Sequence, residues 1–245
     1  MPTETSTFAG LNLLDAAGLH LVQALAHNSE ALDWLLRFLL TVNLVKLGVP
    51  VLLALYAWLA PQAAEPPEAR TRRVAGSFLG VVLAIAAGRA LQDGLPPRSR
   101  PRIGLPDFAF PPLEGMPDLA EWSSMPSDHA VLAAALATAA WAWSWRLGLP
   151  AALWVAVVTL FPRLYFGYHY LTDLLAGALF GVVVTRLAMA LPMPAPLLEL
   201  LARARQEAPA LLTLAFFLVA YEFVTLFETT RRVLGAVRDV AHALG

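Results

Sequence analysis

The sequence predicts an all-α, polytopic membrane protein with about six transmembrane helices in a bundle and an N-terminal interfacial amphipathic helix, forming one domain over residues 1–245. Hydrophobic residues make up 58% of the chain and charged residues only 14%, whereas soluble domains carry about 25% charged residues. A soluble core could not hide this much apolar sequence. The apolar residues are also gathered in long stretches, which indicates spanning helices.

The elements follow from polarity along the chain. Residues 11–28 alternate apolar and polar positions at helical spacing, which predicts an amphipathic helix lying at the membrane interface. A spanning helix needs about 20 apolar residues. Six stretches meet or approach this length: 34–60, 74–91, 127–145, 151–168, 171–191 and 210–227. The segment 93–124 is rich in Pro and Gly with charges of both signs, which predicts a functional or disordered loop outside the hydrocarbon.

Composition excludes several classes of function. The net charge of −1 gives no indication of a nucleic-acid partner. Cysteine is absent, which excludes a disulfide, a thiolate nucleophile and a Cys-ligated metal. The sequence leaves the oligomeric state open.

The basic residues predict the orientation. Short loops on one side of the six spans hold a group of arginines, and that side should be cytoplasmic. The group comprises Arg70, Arg72, Arg73, Arg146, Arg186, Arg203 and Arg205. Six spans place Arg231, Arg232 and Arg238 on the outer side, against this rule. A C-terminal amphipathic helix at the surface or a different path for the last helix would account for them.

Three polar clusters lie at helix ends predicted to face the outer side. The first comprises Arg98, Ser99, Arg100 and Pro101, with Arg89 upstream; the second Pro126, Ser127, Asp128 and His129; and the third Arg163, His169 and Asp173. If the six spans are right, these three ends meet at one face of the membrane.

The third cluster has the residue types of a nucleophilic site. His169 and Asp173 are four residues apart, so on a helix they share a face. A carboxylate there could accept from one imidazole nitrogen and leave the other free to attack. Arg163 carries a fork of donors suited to phosphate oxygens, and Pro162 and Gly167 predict a kink or helix end that lets it point inward.

The second cluster predicts an anion site with a proton donor. Ser127 is a good N-cap, and the backbone N–H groups that follow it can bind an anion. His129 lies in the same first turn and could give a proton to a leaving oxygen.

Each cluster taken alone also has a simpler structural interpretation. His169 and Asp173 could be an ordinary pair, and Ser127 could be only a cap. The arginine-rich stretch with Arg98, Arg100 and Arg102 could be solvated or bind lipid headgroups. Lys46 and Asn43 are polar groups within the first predicted span and receive no assigned role.

Together, the three clusters resemble the signature of the type-2 phosphatidic acid phosphatase superfamily, which also includes vanadium-dependent haloperoxidases. That signature is Lys-x6-Arg-Pro, then Pro-Ser-Gly-His, then Ser-Arg-x5-His-x3-Asp. The matching residues lie between 89 and 173, and the third motif has the full spacing. The soluble haloperoxidases are excluded by the apolar composition.

The resemblance implies a role for each site residue. The histidine at position 169 would attack phosphorus and form a phosphohistidine, with Asp173 orienting it. His129 would protonate the leaving group and then activate water. The phosphate oxygens would be bound by Arg163, Arg100 and the Ser127 region, with Asp128, Arg98 and Arg89 as further candidates. No metal or other cofactor would be required.

The chain departs from the family signature at three positions. Asp128 replaces Gly, a variant that resembles bacterial undecaprenyl-diphosphatases, and Pro162 replaces Ser. Asp93 stands where the first motif has Lys. Arg89 would supply that charge if the helix end is shifted by a turn, and Arg98 could help.

The sequence thus predicts a lipid phosphatase in the cell (inner) membrane whose site faces the periplasm or outside. The substrate is predicted to be a membrane lipid phosphate or diphosphate, with a polyprenyl diphosphate such as undecaprenyl diphosphate favoured. Phosphatidylglycerol phosphate, phosphatidate and lipid A phosphates stay open. The alternative is a protein that binds or transports a lipid phosphate on the same scaffold, with catalysis weak or lost.

Overall fold

The computed structural model describes residues 10–60, 65–113 and 123–228, together with 230, 232, 233, 235 and 236. These residues form helices and no strand. The helices are α1 (Leu13–Leu25), α2 (Glu30–Thr41), α3 (Asn43–Lys46), α4 (Gly48–Leu59), α5 (Pro67–Gly94), α6 (Pro101–Gly104), α7 (Asp128–Trp143), α8 (Trp145–Tyr165), α9 (Leu171–Ala190), α10 (Ala195–Glu207) and α11 (Pro209–Val224). Within α8, the stretch Val155–Leu160 is π-helical.

Three of the described helices, α5, α8 and α9, are long and apolar enough to cross a membrane. The pair α10 and α11, bent by 114°, gives a fourth candidate if it is one broken span. The described residues therefore give three to four candidate crossings, and the predicted count of six is not confirmed. The predicted third span is the 16-residue helix α7.

The predicted first span is broken into α2, α3 and α4. The chain is extended at Val42 (φ −82°, ψ 101°), which leaves carbonyls at the end of α2 without intrahelical partners. The buried ammonium of Lys46 donates to one of them, the Leu40 carbonyl, at 3.1 Å. The carbonyl of Lys46 in turn accepts from the Thr159 hydroxyl at 2.5 Å, so this lysine joins the break to α8.

Helix α7 is the centre of the bundle. Its residues Ala130–Ala140 are all buried, and it packs against α4, α5, α8 and α9. Most of these residues are alanines, and small side chains let neighbouring backbones approach closely. A helix enclosed on all sides needs no polar face, which explains why the apolar character of α7 continues around its circumference.

Two glycines of α9 allow its closest approach to α7. A Cβ on Gly177 would lie 2.6 Å from the Ser127 carbonyl oxygen, and a Cβ on Gly181 would overlap the Val131 carbonyl oxygen. The pair, four residues apart, forms one small-residue stripe of the kind that joins membrane helices. The stripe holds α9 against the start of α7, where the second predicted cluster lies.

Gly181→Val is therefore expected to destabilise the protein by about 3 kcal/mol or more, because the added side chain meets backbone that cannot move aside. The thermal unfolding midpoint in detergent checks this. Gly94→Ala is the matched control, since nothing lies within 4 Å of a Cβ at that position. Equal midpoints for the two variants would contradict the close packing.

The predicted N-terminal helix is present as α1, but its location at a membrane interface is not confirmed. Asn12 caps it by accepting from the Asp15 N–H at 2.9 Å. The polar Asp15 lies on the buried side of the helix together with Gly18, Leu19 and Val22. This side packs against α9 and the end of α8, so α1 directs a carboxylate into the protein.

Several predictions fall outside the described residues. These are the acidic residues Glu114, Asp118 and Glu121 of the long loop, and the C-terminal Arg231 and Arg238. Arg232 is described, and its guanidinium bonds the Glu228 carboxylate.

Candidate active site

The three predicted clusters meet where α5 and α8 end and α7 and α9 begin. The Gln92 amide at the end of α5 donates to the carbonyls of Ser123 (2.6 Å) and Pro126 (3.3 Å). The Ser127 N–H donates to the Asp173 carbonyl at 3.2 Å. These bonds fix the start of α7 between α5 and α9, as the sequence predicted.

The turn after α8 explains how Arg163 and His169 face the same space. Helix α8 ends at Tyr165, and Gly167 has a left-handed conformation with φ +70°, which glycine adopts without steric cost. The chain then returns so that the N–H groups of Tyr168 and His169 donate to the Arg163 carbonyl at 2.9 and 3.3 Å. The predicted helix end between Pro162 and Gly167 is confirmed.

His169 is held with one ring nitrogen fixed and the other directed at a guanidinium. The residue is only 2% exposed. Its Nδ1 lies 2.8 Å from the Ser124 carbonyl oxygen, which can only accept, so Nδ1 carries the proton. Nε2 lies 3.3 Å from Nη1 of Arg100, which can only donate. Nε2 therefore presents its lone pair beside a positive charge, as a nucleophilic imidazole requires.

The prediction that Asp173 accepts from the His169 imidazole is wrong. The carboxylate oxygen is 3.9 Å from Nδ1, beyond hydrogen-bond distance. His169 also precedes α9, which begins at Leu171, so the two residues do not share a helical face. Asp173 instead accepts from the Tyr170 N–H at 2.8 Å and caps the helix. The Ser124 carbonyl fixes the tautomer in its place.

Arg98 bonds carboxylates, in contrast to its prediction as a phosphate ligand. Its guanidinium donates to Asp173 and to Asp15, each at 2.5 Å, and to the Thr172 hydroxyl at 2.8 Å. It also lies 4.2 Å from the centre of the Tyr170 ring. Burial lowers the pKa of Arg98, but the two carboxylates outweigh burial and raise it. Arg98 is therefore a charged bridge between α1 and the start of α9.

The donors available to an anion come from Arg100, Arg163 and Ser127. Arg100 donates to the Tyr168 carbonyl at 2.9 Å, while its buried Nε has no hydrogen-bond partner among the described residues. Arg163, 3% exposed, donates to the Thr159 carbonyl within its own helix at 2.7 Å. The charges of the two arginines interact with each other and with His169, so positive charge is concentrated near this histidine.

Ser127 occupies the N-cap position of α7, but its side chain makes no capping hydrogen bond. Its hydroxyl is buried and has no partner among the residues that the structure describes. Buried polar groups are normally satisfied. The interpretation of Ser127 as only a helix cap is therefore not supported, and its hydroxyl is free for an anion.

Asp128 holds His129, a contact that differs from its predicted role in binding phosphate. Its Oδ1 lies 2.9 Å from Nδ1 of His129, so Nδ1 donates and Nε2 is left for a reactant. A carboxylate would also repel an anion. Asp128 interacts electrostatically with Arg163 and His169, which places the second histidine near these residues.

Two contacts of Arg89 lie within its own helix. It donates to Gln92 at 2.9 Å and lies 3.8 Å from the Asp93 carboxylate. Asp93, at the position where the family signature has Lys, is mostly exposed, with 68% of its side-chain surface accessible. The role of Arg89 as a phosphate ligand stays a prediction.

Sequence reasoning missed Asp15, Thr172 and Ser124. Asp15 is fully buried and accepts from Arg98, from the Thr172 N–H (2.9 Å) and from the Thr172 hydroxyl (2.8 Å). Ser124 contributes through its backbone, for which no residue type is a signal. The one available signal for Asp15 was a carboxylate among apolar residues of a helix, a position that is costly unless the group is paired.

Comparison with protein families agrees with this geometry. The PAP2 superfamily model matches residues 99–197, a range that includes Arg100, both histidines, Arg163 and Asp173. This segment of the chain is similar to the PAP2 superfamily. No significant match to the chain was found among curated proteins or among solved structures.

The match to the PAP2 superfamily model over residues 99–197 confirms the resemblance predicted from the three motifs. PAP2 superfamily members are phosphatases in general. Combined with the apolar helices α5, α8 and α9, this match favours a multi-pass membrane phosphatase that acts on a lipid in the bilayer.

Proposed function

We propose that the protein hydrolyses a lipid phosphate or diphosphate, with polyprenyl diphosphate as the substrate class, through a phosphohistidine on His169. The observation that carries this proposal is the fixed tautomer of His169. Its Nδ1 donates to the Ser124 carbonyl and its Nε2 faces Arg100. A neutral, oriented imidazole beside guanidinium groups is the arrangement that attack on a phosphate needs.

The first step would join Nε2 of His169 to phosphorus and break the bond from phosphorus to the leaving oxygen. Arg100, Arg163 and the Ser127 hydroxyl would bind the phosphoryl oxygens, whose charge grows in the transition state. His129, protonated on both ring nitrogens and held at Nδ1 by Asp128, would give its Nε2 proton to the leaving oxygen and become neutral. General acid catalysis of this kind contributes roughly 10²–10⁴-fold.

The second step would return the enzyme to its starting state. His129, now neutral at Nε2, would take a proton from water, and the resulting hydroxide would attack phosphorus and break the bond to His169. The products are inorganic phosphate and the lipid with one phosphate fewer. Asp173 and Arg98 would act as positioning residues that hold the loop from Tyr168 to Tyr170.

We further propose that the chain crosses the membrane six times. The crossings would be the broken helices α2–α4 together, then α5, α7, α8 and α9, and finally the bent pair α10–α11. The site would face the periplasm of an inner membrane. Support comes from arginines near the ends of α5, α9 and α10 that lie away from the candidate active site, because basic residues favour the cytoplasmic side.

Labelling of single cysteines introduced at positions 72 and 107 checks this orientation. A reagent that cannot cross the membrane, added from outside, is expected to label position 107. Labelling at position 72 alone would contradict the proposed orientation.

The experiment that tests the proposed function is phosphate release by the purified protein across a panel of lipid phosphates. Polyprenyl diphosphate, phosphatidylglycerol phosphate, phosphatidate and lipid A phosphates form the panel. Activity is expected to be highest on polyprenyl diphosphate, to resist chelators and to be inhibited by vanadate. Tight binding without phosphate release from any of these lipids would instead favour the binding or transport function.

The pH dependence tests the environment of His169. Burial lowers the pKa of His169 well below 6.5, and the charge of Arg100 lowers it further. A lowered pKa keeps the imidazole neutral as the pH falls through 6.5, so the acid limb of kcat/KM due to His169 is expected well below pH 6.5. Arg100→Gln removes one of these charges, and its acid limb is expected to move upward. If the acid limbs of kcat/KM were identical for the wild type and Arg100→Gln on one substrate, the influence of Arg100 on His169 would be contradicted.

A further inference from the structure

Two adjoining cavities lie between α5 and the bent pair α10–α11, far from the candidate active site. Both include Arg70, which precedes Gln92 by 22 residues on α5, a rise of about 33 Å. The hydrocarbon core of a bilayer is about 30 Å thick. The cavities therefore lie at the opposite membrane face from His169 and cannot belong to the same site.

The inner cavity, about 440 Å³, is apolar. Its lining includes Trp58, Val74, Phe78, Leu212, Phe216 and Val219. The outer cavity, about 860 Å³, has charged lining residues: Glu65, Glu68, Arg70, Arg72, Glu199 and Arg205. Both volumes lie in the range of sites for small ligands. An amphipathic occupant with an apolar chain and a charged headgroup would match this division.

The boundary between the cavities is positively charged. Arg70 and Arg205 line both cavities. Arg70 is buried; one of its terminal nitrogens donates to the Leu59 carbonyl, while its buried Nε has no hydrogen-bond partner among the described residues. Since buried donors are normally paired, this guanidinium offers a site for an anionic group at the point where the apolar lining ends.

The negative charges lie farther out. Glu68 and Glu199 line only the outer cavity. Glu65 is held by two bonds from Arg73, at 2.8 and 2.9 Å, and Arg72 is exposed at the rim. The order from inside to outside is thus apolar surface, guanidinium groups and then carboxylates.

We propose that these cavities bind one phospholipid with a zwitterionic, amine-bearing headgroup. An acyl chain would fill the inner cavity, the phosphodiester would bond Arg70 and Arg205, and the ammonium would bond Glu68 and Glu199. This order of tail, phosphate and amine matches the order of the lining. The lipid joins α5 to the exposed helix α10 and stabilises the bend before α11.

Native mass spectrometry of the full-length protein in detergent tests the proposal, with phosphatidylethanolamine and phosphatidylglycerol of identical chains as probes. The wild type is expected to retain one phosphatidylethanolamine and to bind it about tenfold more tightly than phosphatidylglycerol, the ratio that one charge-assisted bond gives. Arg205→Gln is expected to weaken binding of both lipids about tenfold. Glu199→Gln should remove only the preference for the amine.

Arg203→Gln is the matched control, because Arg203 lies on the same helix, is exposed and lines neither cavity. It is expected to bind both lipids as the wild type does. Equal effects of Arg203→Gln and Arg205→Gln would overturn the site, and a wild-type preference for phosphatidylglycerol would overturn the headgroup assignment. Neither outcome depends on phosphatase activity.

Discussion

His169→Ala is expected to abolish phosphate release while the protein stays folded. The substitution removes the group that would form the bond to phosphorus, and loss of a covalent nucleophile lowers turnover by at least roughly 10³-fold. The bond from Nδ1 to the Ser124 carbonyl is lost too, so a small fall in the thermal unfolding midpoint is expected. Phosphate release from polyprenyl diphosphate, with the midpoint in the same detergent, gives both values.

His20→Ala is the control for this substitution, since His20 is an exposed histidine on α1 and is not one of the site residues. It is expected to keep wild-type turnover. Turnover that is unchanged in His169→Ala would rule out the covalent mechanism, whatever the behaviour of the control.

The second large loss of stability and activity is expected when the bridge between Asp15, Arg98 and Asp173 is broken. Asp15→Asn removes one of the two carboxylates that hold Arg98 and is expected to cost about 3 kcal/mol of stability, as for a broken buried pair. We also expect kcat to fall about tenfold or more with little change in KM, because Arg98 positions the loop that carries His169. Steady-state kinetics and unfolding of the same samples provide the measurement.

A double-mutant cycle separates positioning from phosphate binding. Asp15→Asn and Arg98→Gln are expected to be non-additive, with a coupling of about 1–3 kcal/mol. Asp33→Asn is the matched control: Asp33 bonds the Tyr165 hydroxyl, so its loss should lower stability without changing kcat. If Arg98→Gln raised KM and weakened vanadate inhibition while sparing kcat, Arg98 would be a phosphate ligand and the positioning role would be wrong.

The sequence was sufficient to predict that three distant clusters meet. Helix periodicity and span length placed Ser127, Arg163 and His169 at helix ends on one face, and the bundle brings those ends together. The turn at Gly167 was also predictable, because glycine readily adopts the left-handed conformation in which helices end. Where residue type alone dictates the local backbone, prediction and structure agree.

Other features could not be predicted because their partners are backbone atoms or lie far along the chain. The tautomer of His169 depends on the Ser124 carbonyl, and spacing favoured Asp173 as the partner. Asp15 looked like part of a solvated face, since nothing local indicates that Arg98, 83 residues away, approaches it. The break at Val42 is accompanied by a bond from Lys46 to the Leu40 carbonyl, a contact with a backbone atom that hydropathy does not record.

The most direct test of the mechanism is to trap the phosphoenzyme. Substrate labelled in the phosphoryl group that is released would be mixed with the purified protein, quenched in alkali within one turnover and digested. The expected result is an alkali-stable, acid-labile phosphoramidate on the peptide that contains His169, absent from His169→Ala. Label on another residue, or single turnovers that release phosphate without any labelled enzyme, would contradict the proposal that His169 is the nucleophile.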